Sequence, residues 1–251
     1  KAYINASLAS VITSKNMGFD VVSGGELAII EASGADLSRV YFHGNNKTED
    51  ELTYAVRLGI GRIVVDSFYE LELLNKVAKD LNVVQGVLLR ISPAVDPHTH
   101  VYTTTGILDS KFGFAIDTGY AEEAILEAIE SSNIDLKGVH FHLGSPIFEI
   151  EPYEVAVDLV IRFVHKFSDR FTLEEFSPGG GFAIAYTRND DPPQIQEYAE
   201  AIVTTMRNTC SELKMDLPKL IIEPGRSIIG PAGVALYTVG AIKDIPGVRK
   251  Y

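Results

Sequence analysis

The chain reads as an α/β protein on a parallel sheet, an eight-stranded (β/α) barrel in preference to an open doubly wound sheet. Three observations lead there. Short β-rich runs alternate with longer helical runs along the sequence. The strand runs are almost continuously apolar, as expected of strands covered on both faces. The one run of three glycines, Gly179, Gly180 and Gly181, follows a late strand, whereas an open nucleotide-binding sheet carries its glycine-rich turn after the first. Seven strands are legible, so one of the barrel's eight is unaccounted for and is expected before Lys1.

In order, a helix is expected over 6–15 and a strand over 19–22, followed by a helix over 25–32. Strand 39–42 precedes helix 49–58, where Thr48 and Glu51 carry the spacing of a capping box. Strand 62–65 leads into helix 69–81, with Ser67 as N-cap. Strand 84–91 is long and mostly apolar. After a long loop over 92–112 come helix 121–131, strand 136–142, helix 153–167, strand 173–176, helix 193–213 and strand 220–223. Beyond Gly230 the text changes, and 234–242 reads as one more apolar strand before a Pro246-Gly247 turn and a basic end. Residues 1–232 are therefore assigned to the barrel. Residues 233–251 are read as the start of the strand into a second, β-rich domain that is absent.

Composition narrows the function. The 251 residues are 46% hydrophobic and 22% charged, ordinary for a globular protein and unlike a disordered or fibrous chain. Asp and Glu outnumber Lys and Arg 34 to 22, a formal charge of −12. Such a surface repels phosphate backbones and anionic lipid, so neither nucleic acid nor membrane is expected as a partner. No apolar run approaches the ~20 residues of a membrane helix, and no signal peptide is legible. The single cysteine, Cys210, excludes an internal disulfide framework and fits a reducing, cytoplasmic setting.

Barrel chemistry sits at the C-terminal ends of the strands. Those ends carry Asp20 and Ser23, His43, Asp66, Arg90, His140 and His142, Ser177 ahead of the glycine run, and Glu223 ahead of Pro224-Gly225-Arg226. Polar side chains there are costly unless paired or facing a pocket. The three glycines let backbone amides approach an anion, in the place where barrels often hold phosphate; the bland reading is a flexible turn. His140 and His142 fall on one side of their strand by period two. They read as metal ligands with His43 or Glu223, as an aromatic wall against a flat ligand with Ser145 donating to a phosphate, or, the reading with the most weight from spacing alone, as core histidines. Glu223 with Arg226 is either a structural ion pair or a carboxylate that holds a proton on a ring nitrogen. Asp96, His98 and His100 lie in the long loop, where functional residues concentrate.

Taken together these segments resemble a known family, the barrel domain of the diaminopimelate decarboxylases, within the alanine-racemase-like, fold-type III pyridoxal-phosphate (PLP) enzymes that include ornithine decarboxylases. The matching text is Lys1-Ala2-Tyr3, Asp20 through Leu27, His43-Gly44-Asn45-Asn46-Lys47, Thr99-His100-Val101-Tyr102 with Thr105-Gly106, Ser110-Lys111-Phe112-Gly113, His140 through Ser145, Pro178 through Phe182, and Glu223-Pro224-Gly225-Arg226. Eight segments in the family's order cover nearly the whole chain. The resemblance implies a barrel of the alanine-racemase type and PLP as cofactor, with no metal. Lys1 matches the lysine that carries PLP, and His142 the residue stacked on the ring. Ser145, Gly179, Gly180, Gly181, Gly225 and Arg226 match the phosphate site, Glu223 the partner of the pyridine nitrogen, and Arg90 and Asp20 the lining.

Lys1, His142 and Glu223 are thus the implied catalytic residues, with Arg226 also toward substrate. The implied reaction converts meso-2,6-diaminopimelate to L-lysine and CO₂ in lysine biosynthesis. Decarboxylation of ornithine, arginine or carboxynorspermidine, or non-catalytic PLP binding, are the alternatives. The family also implies a homodimer and a C-terminal β domain with a catalytic cysteine, which Cys210 does not match.

Overall fold

The structure, a computed structural model, describes residues 1–95 and 111–250. Helices start where the sequence supplies a cap. Asn5 accepts the Leu8 amide at the head of α1 (Ala6–Ser14), and Ser23 accepts the Glu26 amide at α2 (Gly24–Ala32). Thr48 and Glu51 close a reciprocal capping box at α3 (Glu49–Leu58), and Ser67 caps α4 (Phe68–Asp80). Each such bond satisfies an amide that the helix itself leaves open, worth about 1 kcal/mol. The later helices are α5 (Tyr120–Glu130), α6 (Glu151–His165), α7 (Ile195–Leu213) and the short α8 (Gly225–Ile229).

Between them run β1 (Phe19–Val21), β2 (Val40–Phe42), β3 (Arg62–Val65), β4 (Gln85–Ser92), β5 (Phe114–Ala115), β6 (Ile134–His140), β7 (Glu175–Ser177) and β8 (Lys219–Leu220). They form one parallel sheet in the order β1-β2-β3-β4-β6-β7-β8, with β5 beside the end of β4. Registers such as Phe19 opposite Val40, Gln85 opposite Ile134 and Glu175 opposite Lys219 step through the chain without reversal. A doubly wound sheet reverses its order at a switch point. This one curls as a barrel does, so far that Lys1 reaches both Asp20 in β1 and Glu223 beyond β8. Among the described residues β1 and β8 do not pair. A cavity of about 330 Å³ lies between them, lined by Phe19, Tyr41, Leu220 and Ile221.

The sheet is apolar on both faces. Its outer face packs on the helices through Leu27, Leu52, Leu71, Val139, Phe141, Phe176 and Tyr153, all buried. Inside the curl, Tyr41, Val64 and Leu88 pack together with Ile221. Below them, at the strand starts, the buried Glu175 accepts from Tyr41 Oη and from Arg62 Nε, both at 3.0 Å, while Arg62 Nη2 donates to its other oxygen at 3.0 Å. This network plugs the N-terminal end, so the open end of the sheet is the opposite one.

Two expectations need correction. The strand expected over 136–142 runs over Ile134–His140, which leaves His142 in the loop beyond it. The strand expected over 234–242 does not form. Val234 and Tyr237 are 86% and 91% exposed, with no sheet edge beside them among the described residues. A strand without a partner cannot satisfy its own backbone groups. Only a two-residue hairpin follows, β9 (Asp244–Ile245) against β10 (Arg249–Lys250), around the expected Pro246-Gly247 turn. Of the long-loop positions, Asp96, His98, Thr99 and His100 lie outside the described residues.

Candidate active site

Because every strand runs the same way, the strand ends share one rim. Asp20 lies in β1, His43 directly after β2, Asp66 after β3, Arg90 in β4, His140 at the end of β6 and Glu223 beyond β8. Lys1, His43, Arg90, His140, His142 and Ser145 line a cavity of about 460 Å³ at this rim. That is the scale of a small-molecule pocket.

At one wall stands a group of charges. The Lys1 ammonium contacts Glu223 Oε2 and lies 3.3 Å from Asp20 Oδ2. His43 Nε2 sits between Asp20 Oδ1 at 3.3 Å and Glu223 Oε1 at 3.5 Å, and His140 Nε2 is 2.8 Å from Glu223 Oε1. Burial works to raise the Glu223 pKa, but His43, Lys1 and His140 around it outweigh burial and hold it well below the usual carboxylate range. Asp20 is lowered too, His43 and Lys1 overruling burial and the repulsion of Glu223. Burial drives the His140 pKa down to about 3, so this imidazole is neutral near pH 7. The wall therefore holds two carboxylates, a primary amine and two imidazoles, of which that of His140 is uncharged.

Ser145, at the edge of the cavity, belongs to a set of groups suited to an anion. Arg226, at the start of α8, donates from Nε to Ser145 Oγ at 2.8 Å and from Nη1 to Tyr186 Oη. Gly179 and Gly181 have φ of +76° and +96°, conformations that side chains resist. A Cβ on Gly181 would stand 2.1 Å from the Gly144 carbonyl oxygen, and one on Gly179 would press on Phe141 and His142. The glycines are what allow this turn to lie against the His142–Ser145 loop. His142 Nδ1 accepts the Gly144 amide at 3.1 Å, which leaves its proton on Nε2. Burial holds the His142 pKa at about 4.

Arg90 is fixed from behind. Its Nη1 donates to Asp66 Oδ2 at 3.2 Å, and its guanidinium lies 4.2 Å from the centre of the Phe112 ring.

The structure thus brings the residues singled out in the sequence to one rim. Lys1, Asp20 and Glu223 meet directly, and Gly225 packs on the backbone of Lys1 and Ala2. His142, Ser145 and Arg90 line the cavity, Arg226 donates to Ser145, Gly179 and Gly181 lie against the His142–Ser145 loop, and Gly180 bridges to Glu223. The two histidines part company: His140 turns to Glu223, while His142 is tied to its own loop. Among the described residues, the donor atoms of His43, His140 and Glu223 converge within 4.8 Å, a group that does not include His142. His43 was legible at a strand end as a candidate metal ligand, and Asp66 without a role. Phe112 stood only within the text that matches the family and Tyr186 carried no signal, since only the folded chain places them on arginines.

The donor set fits PLP in four independent respects: an amine for the aldehyde, a buried carboxylate for the ring nitrogen, an imidazole face, and an arginine, a serine and a glycine turn for the phosphate. Among the described residues, buried Glu223 Oε1 and His140 Nε2 also lack a hydrogen bond of regular geometry.

Comparison with known proteins agrees. The chain is 42% identical over its whole length to a diaminopimelate decarboxylase of Bacillus subtilis and 40% identical to one of Staphylococcus aureus, spanning 58% of each. A solved diaminopimelate decarboxylase of M. jannaschii superposes with a TM-score of 0.87 at 36% identity, covering 99% of this chain and 57% of that one. The chain therefore spans less than two thirds of the relatives it matches. Residues 1–230 match the model of the pyridoxal-dependent decarboxylases, pyridoxal binding domain, and the chain belongs to that family.

Proposed function

We propose that the protein containing this chain decarboxylates meso-2,6-diaminopimelate to L-lysine, with this chain as the part that holds PLP. The observation that carries the proposal is the placing of the Lys1 amine between Asp20 and Glu223, at the same rim as the Ser145–Arg226 pair. A bound PLP would present its aldehyde to Lys1, its ring nitrogen to Glu223, its face to His142 and its phosphate to Ser145, Arg226, Gly225 and the Gly179, Gly180, Gly181 turn. Asp20 and Arg90 line the remaining wall. PLP supplies an electron sink conjugated to the substrate's α-carbon.

The chain's own residues set the conditions for that chemistry. Glu223, ionised and buried, holds a proton at the ring nitrogen. Asp20 shares the charge of Lys1. Arg226, which is also our candidate for contact with substrate, anchors the anionic end. The relatives named above support the substrate, and one of them was solved in complex with L-lysine. We read residues 1–232 as the barrel domain and 233–251 as the lead out of it, with a homodimer as the assembly of the full-length protein.

The test is direct. The purified full-length protein should bind one PLP per chain with a visible absorbance band that Lys1→Ala abolishes. It should release CO₂ from meso-diaminopimelate. Release from ornithine or arginine alone would reassign the substrate, and PLP binding without turnover of any of them would make it a non-catalytic relative.

A further inference from the structure

Resting on that placement of PLP, we propose that His140 and His43 are positioning residues that hold one oxygen of Glu223 so that the other is presented to the pyridine nitrogen. Both imidazoles approach the same oxygen: His140 Nε2 is 2.8 Å and His43 Nε2 is 3.5 Å from Oε1, while Oε2 is the oxygen in contact with the Lys1 ammonium. The two rings brace one another edge to face, with centroids 4.9 Å apart. Their backbones fix them further, His140 as the last residue of β6 and His43 through its amide to the Val21 carbonyl at 2.8 Å. Both side chains are buried, at 1% and 6% exposure.

A carboxylate beside an amine has two equivalent oxygens and turns freely unless one is held. A lysine or arginine in place of His140 would hold Oε1 but would also neutralise Glu223, removing the negative charge that favours a protonated ring. A neutral imidazole donates one N–H and leaves the charge in place. Among the described residues His140 Nδ1 has no hydrogen-bond partner. No acceptor therefore draws the proton to Nδ1, and it is free to sit on Nε2, facing Glu223. The 2.8 Å separation already has the length of a hydrogen bond, and a small turn of the ring supplies the angle. His43 adds a second tether, since its Nε2 also lies near Asp20 Oδ1.

The experiment uses the full-length protein and two probes, PLP and its 1-deaza analogue, in which C–H replaces the ring nitrogen. Both keep the aldehyde and the phosphate, so their affinity ratio reads only the Glu223 contact. In the unsubstituted protein PLP should bind about tenfold or more tightly than the analogue, the worth of a charge-assisted hydrogen bond. In His140→Leu the ratio should fall to about threefold or less, and His140→Gln, which keeps an N–H donor, should restore part of it. His43→Leu should narrow it to a smaller degree. A purely structural role would weaken both probes equally, so an unchanged ratio in His140→Leu overturns the proposal. If His140→Leu binds neither probe, His43→Leu decides, and an unchanged ratio there overturns it as well. Equal affinities in the unsubstituted protein would instead reject the pairing of Glu223 with the ring.

Discussion

Asp66 joins Arg90 to Gly113: one carboxylate oxygen accepts from Arg90 Nη1 at 3.2 Å, the other from the Gly113 amide at 2.8 Å. One side chain after β3 thus fixes both a rim cation and the backbone that resumes after the long loop. Asp66→Ala would leave a largely buried guanidinium without its carboxylate. The expected loss is about 3 kcal/mol of unfolding free energy in urea, as for other buried pairs broken on one side. A loss under about 0.5 kcal/mol, the usual range for a surface site, would show that the pair carries no weight.

Lys47 and Glu70 form a second buried pair at 2.7 Å, and Lys47 also donates to the Gly44 and Val64 carbonyls. Burial raises the Glu70 pKa, partly offset by Lys47. Lys47→Met should therefore destabilise strongly, by about 3 kcal/mol, whereas adding Glu70→Leu should recover most of that loss. Additive losses in the double-mutant cycle would contradict the pairing.

The buried histidines set an acid limit. His140 and His142 have pKa values lowered to about 3 and about 4 from an ordinary 6.5. Each takes up its proton more readily when unfolded, so its contribution to stability is complete above about pH 6.5 and is lost as the pH falls toward the folded value. The loss is at most about 1.4 kcal/mol per pH unit for each group. Asp20 and Glu223, lowered carboxylates, add to it only in more acid solution. Urea midpoints at pH 7.5, 6 and 5 should decline steadily, and His142→Gln should flatten the slope. A level profile would show that these rings are not held neutral.

Cys210 is fully buried in α7, and burial raises its thiol pKa. It should react with a thiol reagent only on global unfolding, at a rate that tracks stability in urea. Rapid labelling of the native protein would place it elsewhere.

What the sequence revealed depended on how local the determinant was. The helix over Glu49–Leu58 was read to the residue because Thr48 and Glu51 cap it locally. The strand Arg62–Val65 was equally clear between its turns. Strand ends set by neighbours were less so: Lys219–Leu220 pairs only along Glu175–Phe176, so the ladder stops short of the apolar text. Site residues were legible as polar side chains where apolar strands end. Their partners were not, since Glu175 with Arg62, or Asp66 with Gly113, are chosen across distant parts of the chain. The separate roles of His140 and His142 were hidden for the same reason, as only the folded loop turns one of them away.

The contact of Lys1 with Glu223 spans 222 positions of the chain. No early, local event in folding can make it, because closing so large a loop carries a high entropic cost that is offset only once the intervening strands are laid down. The binding competence of this domain is therefore acquired late in its own folding. A vitamin-derived ligand that grips both of these residues would in turn favour the folded domain by mass action, acting as a clasp across it.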